Sequence, residues 1–186
     1  MQLPSLARFI DKHSGARIHG SIHAAAERHL GFWRDWRYNP YDEDRAWDWW
    51  AIYQECASWA ERYECYAAMA ANQLQGLMVI DLRGRRLGDG SALIVDYLAT
   101  NPASRAAHHG LKHVGLELMS LAVRRSREVG AGGRLWLEAL PGAAGFYESL
   151  GMTRRFQASE EGHCIYTLES PLAPERARNC GLALAV

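Results

Sequence analysis

The strongest pattern in this 186-residue chain is an apolar strand followed by a loop and an amphipathic helix, between residues 91 and 129. The stretch SALIVDYLAT (91–100) is apolar on both faces except at Asp96, which predicts a central strand. Asn101-Pro102 ends it, and a glycine-containing loop leads into a helix predicted over residues 111–129. The first turn of a helix leaves about four N–H groups unpaired, and with the helix dipole these favour an anion. The junction therefore indicates an anion site, although glycine at such junctions often serves only to turn the chain.

Helices are predicted before residue 62. Residues 4–13 and the stretch from Ser21 to about Gly31 are predicted as short helices. Asp42 or Asp44 is predicted to cap a third helix, which carries an apolar stripe ending at Trp59.

Extended runs begin at residue 63. YECYAAMA and LQGLMVIDL predict two strands joined by a hairpin at Asn72-Gln73, and RGRRLGDG predicts a second turn. After the long helix come a strand (RLWLEALP), a short helix ending at Gly151 (GAAGFYESLGM) and a final strand (HCIYTLE). The order is helices followed by β-β-β-α-β-α-β, which predicts an α+β domain with a mixed, mostly antiparallel sheet.

Composition excludes several classes of function. The 21 acidic and 21 basic residues balance, so nucleic-acid binding is not indicated. No apolar run approaches the ~18 residues of a membrane span, and the N-terminus lacks the features of a signal peptide. The four cysteines form no C-x-x-C pair and no H-E-x-x-H motif occurs, so we expect reduced thiols, no metal and a cytoplasmic location.

The segment GRLWLEALPGAAGFYESLGM carries a family resemblance. A strand, a proline break and a helix ending F-Y-x-x-L-G-M follow the Asn-Pro strand end and the long helix in an order that resembles the GNAT superfamily of acyl-CoA-dependent N-acetyltransferases. The resemblance covers residues 62–169. It implies a single acetyltransferase-like domain, in which residues 1–61 form a helical and aromatic extension on the substrate side, 62–169 the acyl-CoA-binding core and 170–186 a tail.

The resemblance also implies where acetyl-CoA would bind. In the family, the pyrophosphate lies on the N–H groups of a Q/R-x-x-G-x-G/A loop. Aligning Gly115 with the last glycine puts His113 at the middle glycine. The implied phosphate-binding residues are Lys112, His113, Val114 and Gly115, and the strand that pairs with the pantetheine arm is Leu98, Ala99 and Thr100.

The family's chemistry is direct attack of an amine on the thioester, which requires a proton acceptor and a proton for the leaving thiolate. Tyr147 matches the position of the family's usual acid, whereas Gly142 and Ala143 replace an asparagine that often opens this helix. Asp96 and Glu138 are single carboxylates in apolar strands, and burial would raise a carboxyl pKa toward that of a base. A water relay and Glu55 are the other candidates for the base.

Six of the seven tryptophans lie between Trp33 and Trp59. We expect Trp33, Trp36 and Tyr38 to contact an acceptor amine, and Trp49, Tyr53 and Trp59 to form core; such a cluster also fits a homodimer interface. The predicted function is acetyl transfer from acetyl-CoA to an amine of a small molecule or protein. The alternative is a non-catalytic acyl-CoA-binding or interaction module, because the phosphate loop departs from the family pattern at His113.

Overall fold

The protein is represented by a computed structural model, which describes residues 4–87, 90–105, 108–157 and 163–169. The chain divides into two compact units. Unit 1 comprises Met1–Ile80 and Tyr97–Leu118, and unit 2 comprises Asp81–Asp96 and Met119–Val186. The predicted tail, residues 170–186, lies outside the described residues.

Unit 1 is a sheet with helices packed on it. Its strands, in the order in which they pair, are β6-β1-β2-β3-β4-β5, and β1 is antiparallel to both β2 and β6. The bounds are β1 (Ser5–Asp11), β2 (Arg17–Ala24), β3 (Tyr63–Ala70), β4 (Gln73–Leu87), β5 (Gly90–Thr100) and β6 (Leu111–Lys112). The helices are α1 (Glu27–Trp33), α2 (Trp49–Ser58) and the start of α3 (Val114–Glu128), with 3₁₀ turns at Glu43–Ala46 and Pro102–Arg105.

The two N-terminal helices that we predicted are wrong, because most of that sequence forms β1 and β2. In β1, Ala7 and Phe9 are buried, whereas the neighbouring Leu6 is 86% exposed. This alternation with a period of two is that of a strand. Gly15, read as a helix stop, has φ +71° and lies in the hairpin turn. Helix α1 begins only at Glu27 and runs through Gly31, so the N-terminal helical extension is not observed.

The third predicted helix exists, but its cap is Asp48. The Asp48 side chain accepts hydrogen bonds from the amides of Trp50 and Ala51, at 3.0 and 3.1 Å, and so satisfies the first turn of α2. Asp42 and Asp44, which we expected to cap this helix, bind Arg105 instead.

The first predicted hairpin is present, with its turn one residue earlier than the predicted Asn72-Gln73. Ala71 and Asn72 form a two-residue connection between β3 and β4, with φ +49° and +58°, as a hairpin turn of this length requires. The start of the second predicted turn is strand instead, because β4 continues through RGRRL to Leu87, and Gly88 and Asp89 lie outside the described residues.

Unit 2 adds the parallel pair of the fold. Its strand order is β4-β5-β7-β9-β8, with β5 parallel to β7 and β7 antiparallel to β9. The elements that complete it are β7 (Leu135–Ala139), a 3₁₀ turn at Pro141–Ala143, α4 (Ala144–Ser149), β8 (Thr153–Gln157) and β9 (Cys164–Leu168). Strand β8 was not predicted. The mixed, mostly antiparallel sheet flanked by helices is as the sequence predicted.

Helix α3 begins close to the sheet in unit 1 because β4 carries a glycine there. A Cβ at Gly76 would lie 2.8 Å from Cγ1 of Val114 and 3.0 Å from the carbonyl oxygen of Ala99. A side chain at Gly76 would therefore push the first turn of α3 away from β4. Within the described part of the chain, no helix is both long and apolar enough to cross a bilayer.

Candidate functional site

The end of β5 is fixed by Asn101. Its backbone N–H donates to the carbonyl of Gln75 (2.7 Å), and its side-chain Nδ2 donates to the carbonyl of Leu74 (3.2 Å). Its Oδ1 accepts from the amide of Ala103 at 3.0 Å, which starts the 3₁₀ turn. The predicted strand end at Asn101-Pro102 is thus observed, with the asparagine holding β5 against β4.

The loop before α3 is anchored rather than open. The carbonyl of Gly110 accepts from the amide of Lys12 (3.0 Å), and the hydroxyl of Ser104 accepts from the amide of Leu111 (3.0 Å). Leu111 and Lys112 then pair with β1, so the helix predicted from residue 111 begins three residues later. Gly110 has φ +78°, and a Cβ there would lie 2.5 Å from Cα of Ser104.

His113 has the backbone conformation of a glycine. Its φ is +72°, in the left-handed region where a side chain costs about 1–2 kcal/mol. Its carbonyl accepts the amide of Glu117 at 2.9 Å, so His113 is the residue at which α3 starts. The amides of Val114 and Gly115 precede that bond and have no carbonyl within the helix to bind. His113 and Lys112 are exposed, whereas Val114 is buried.

In the strand segment that we predicted to pair with the pantetheine arm, one backbone carbonyl already accepts a hydrogen bond. Ala99 is buried, and Leu98 and Thr100 are half-buried. The carbonyl of Thr100 accepts a hydrogen bond from Nη2 of Arg105 at 3.1 Å.

Arg105 is part of a charged cluster that sequence reasoning missed. Its Nη1 and Nη2 bind the two carboxylate oxygens of Asp44 at 2.7 and 2.5 Å, and its Nη1 lies 3.0 Å from Oδ1 of Asp42. The guanidinium carbon also lies 5.8 Å from the ring centre of Tyr38. The spacing of residues along the sequence cannot indicate this contact, because Arg105 and Asp44 are 61 residues apart. Asp42 and Asp44 do not cap the third helix, which is a weak sign that they have another partner.

The aromatic residues divide between core and partly exposed positions. Trp36 is buried and its indole N–H donates to the carbonyl of Leu74 (3.3 Å), so it is an anchor of the core rather than a surface for a substrate. Trp33 and Tyr38 are half-buried, and Nε1 of Trp33 donates to the Tyr38 hydroxyl at 3.4 Å. Burial raises the pKa of Tyr38, which keeps the phenol neutral. Trp59, expected in the core, is 52% exposed.

Trp49 is core, as predicted, and its indole N–H has no hydrogen-bond partner. The Trp49 ring is steeply inclined to those of Trp47 and Tyr97, with centroids 6.0 and 6.1 Å away.

In unit 2, Tyr147 lies on α4 with its ring buried. The ring is 5.1 Å from that of Phe146 and 5.8 Å from that of Tyr166. Burial raises the pKa of Tyr147, so its phenol remains protonated at neutral pH. Tyr166 donates to Oε1 of Glu148 at 2.9 Å. Among the residues that the structure describes, no hydrogen-bond partner of the Tyr147 hydroxyl is found.

The two candidate bases are exposed, not buried as their apolar strands suggested. The parallel pairing of β5 and β7 ends at Val95 and Leu137, so Asp96 and Glu138 follow as neighbours on one face. Oε1 of Glu138 lies 3.6 Å from Nδ1 of His163, the residue before β9. Glu55, the more distant candidate, is also exposed.

Two histidines of unit 1, His23 and His29, have neighbouring rings. Nε2 of His23 lies 2.7 Å from the Ser21 hydroxyl, and its ring is 5.5 Å from that of His29. Nδ1 of His29 accepts the amide of Ala26 at 3.1 Å. No group of three or more metal-ligating side chains is present within the described ranges.

The chain has the fold of the GNAT acetyltransferases. A Bacillus subtilis acetyltransferase in complex with CoA is 16% identical with a TM-score of 0.51, and the match covers 79% of this chain and 96% of that chain. The GNAT domain of S. lividans PAT is 15% identical with a TM-score of 0.58, and the match covers 90% of this chain and 99% of that chain.

A third similar structure is apo FdhC, a nucleotide-linked sugar GNAT. It is 10% identical with a TM-score of 0.59, and the match covers 97% of this chain and 100% of that chain. No protein-family model matches the sequence, and no curated protein matches it either. At these identities the likeness establishes the fold and leaves the activity to be inferred from the residues.

Proposed function

We propose that the protein transfers the acetyl group of acetyl-CoA to an amine of a small molecule or protein. The observation that carries this proposal is the backbone of His113, at the start of a 15-residue helix that follows β5. The family pattern requires glycine at this position, and His113 has the left-handed φ that glycine adopts most readily. The chain thus keeps the backbone of the phosphate loop while changing its side chain.

In this proposal, the amides of Val114 and Gly115 bind the diphosphate, together with the positive end of the α3 dipole. Lys112 and His113 are exposed beside them and add cationic or donor groups. The backbone of Leu98 and Ala99 pairs with the pantetheine arm. Thr100 contributes less than the family pattern implies, because Arg105 already binds its carbonyl.

The chemistry assigned to unit 2 needs an acid and a base. Tyr147 protonates the leaving thiolate, and its neutral phenol supports that role. Glu138 or Asp96 accepts the proton of the attacking amine, directly or through water. Their exposure to solvent favours the water-mediated route. Trp33 and Tyr38 are the proposed acceptor contacts, backed by Trp36 in the core.

The second candidate is an acyl-CoA-binding module without turnover. It is favoured by the exposed imidazole of His113, where the family has no side chain, and by Gly142 and Ala143 in place of an asparagine. Binding of acetyl-CoA is common to both candidates, so turnover separates them.

The test is acetyl transfer to a broad panel of small amines and lysine peptides, followed by mass spectrometry of the products and by thiol release. We expect acetylated product with wild type, and a kcat at least ~100-fold lower in Tyr147→Phe with unchanged acetyl-CoA affinity. Tyr41→Phe is the matched control, because Tyr41 is 92% exposed. Tight acetyl-CoA binding without transfer to any amine would favour the binding module.

A further inference from the structure

The Arg105 side chain connects two segments of unit 1 that are distant in sequence, residues 38–44 and the end of β5. It binds Asp44 in the 3₁₀ turn Glu43–Ala46 and Asp42 before that turn. It also donates to the carbonyl of Thr100, at the end of β5, and lies over the ring of Tyr38. One side chain therefore contacts both a proposed acceptor residue, Tyr38, and the end of the strand proposed to hold the acyl-pantetheine arm.

The carboxylates of this cluster already have partners within the protein, so the cluster is not an open binding site. Both oxygens of Asp44 are bonded to the guanidinium, and Asp44 is buried. The second oxygen of Asp42 accepts the amide of Asn39 at 2.7 Å. Because each carboxylate oxygen has a partner, the cluster fixes the backbone between Asn39 and Asp44 instead of recruiting a cation.

We infer that Arg105 is a positioning residue for acetyl transfer, which holds the acceptor-contacting ring of Tyr38 in register with the carbonyl of Thr100. This inference rests on the proposed function. Arg105 does not touch the reacting atoms; it acts by fixing Tyr38 relative to the strand where the thioester would lie. Small displacements between reacting groups lower the rate steeply, so a residue that sets this spacing affects acceptor use.

Lysine cannot replace this arginine. The guanidinium is a planar fork that binds both oxygens of Asp44 and still has N–H groups for Asp42 and Thr100. An ammonium is a point charge with three donors on a flexible stem. Arg105→Lys thus keeps the charge and much of the ion pairing, while releasing the carbonyl of Thr100 or the bidentate geometry.

The test compares Arg105→Lys with wild type in steady-state kinetics, with the acceptor identified by the amine panel. Acetyl-CoA affinity is measured separately by calorimetry. We expect the acceptor KM to rise ~10-fold or more, as for loss of one charged hydrogen bond, and the acetyl-CoA Kd to change less than ~2-fold. Arg45→Lys is the matched control, since Arg45 is exposed in the same 3₁₀ turn. A merely structural role would lower the melting temperature and the apparent kcat but leave the acceptor KM unchanged.

A double-mutant cycle with Asp44→Asn tests whether Arg105 acts through the cluster. We expect the two changes in acceptor KM to be non-additive, because each removes the same connection. An unchanged acceptor KM in Arg105→Lys, or full additivity, overturns the inference while leaving the proposed function intact. A wild-type protein that binds acetyl-CoA but acetylates no amine contradicts the function and the inference together.

Discussion

Arg105 and Asp44 form a bidentate ion pair, with both N–O distances at or below 2.7 Å, across 61 residues of sequence. Asp44 is buried, and the Arg105 side chain is 31% exposed. The pair therefore lies between a surface salt bridge and a fully desolvated one.

Neutralising the buried partner should cost stability. We expect Asp44→Asn to lower the free energy of unfolding by about 2 kcal/mol, because the guanidinium would lose its charged partner in a partly desolvated position. Urea denaturation measures this change. Asp35→Asn, at an exposed aspartate, should change it by less than ~0.5 kcal/mol. Equal stability of the two variants would mean that the ion pair contributes nothing to folding.

Two glycines should respond to alanine with opposite signs. Gly110→Ala should destabilise the protein by about 2 kcal/mol, because φ is +78° and the new Cβ would lie 2.5 Å from Cα of Ser104. Gly31→Ala, in α1 with no atom within 4 Å of the new Cβ, should stabilise by up to ~1 kcal/mol. Thermal or urea unfolding of both variants provides the comparison. If Gly110→Ala were neutral, the loop before α3 would not have the close contact to Ser104 described above.

Because of His29, the free energy of unfolding should fall in mild acid. Burial, followed by the charges of Arg28 and His23, lowers the pKa of His29 to about 4. The unfolded chain takes up a proton near pH 6.5, whereas the folded protein does so only near pH 4, so stability is full above about pH 6.5 and falls as the pH drops toward 4. Between pH 7.5 and 5 the loss from this residue is about 2 kcal/mol.

The check is urea denaturation of wild type and His29→Gln at both pH values. The glutamine oxygen can still accept the amide of Ala26 but does not titrate. We expect the variant to lose about 2 kcal/mol less than wild type over this range, and His19→Gln, at an exposed histidine, to behave as wild type. A pH dependence that is the same in all three proteins would contradict the assignment.

The central strand, the long helix and the short α4 helix could be predicted because their patterns are local. The apolar run of β5 ends at Asn101-Pro102 as expected, and Gly130 with φ +84° ends α3. The N-terminal strands could not be predicted in the same way. Their alternation is short, and β1 is stabilised by pairing with β2 and β6 rather than by its own propensity.

For the candidate site, the sequence indicated the proposed phosphate loop but not the side-chain contacts around it. Spacing from Gly115 put His113 at a glycine position, and the left-handed φ of His113 agrees with that alignment. Arg105 binds Asp44 and donates to the carbonyl of Thr100. These are tertiary contacts, which the periodicity of the sequence does not indicate. Asp96 in β5 and Glu138 in β7 are exposed, which the apolar residues around them in sequence did not indicate.

The most direct test of the account is the affinity for acetyl-CoA of wild type, His113→Gly and His113→Asp, measured by calorimetry. Aspartate is a good residue at a helix start and tolerates left-handed backbone, so His113→Asp should fold normally while repelling the diphosphate. Glycine fits the φ of +72° and removes the side chain from the proposed approach of the phosphates. We predict binding by wild type, equal or tighter binding by His113→Gly, and binding at least ~10-fold weaker by His113→Asp. Absence of acetyl-CoA binding, or equal affinity of wild type and His113→Asp, would contradict the account.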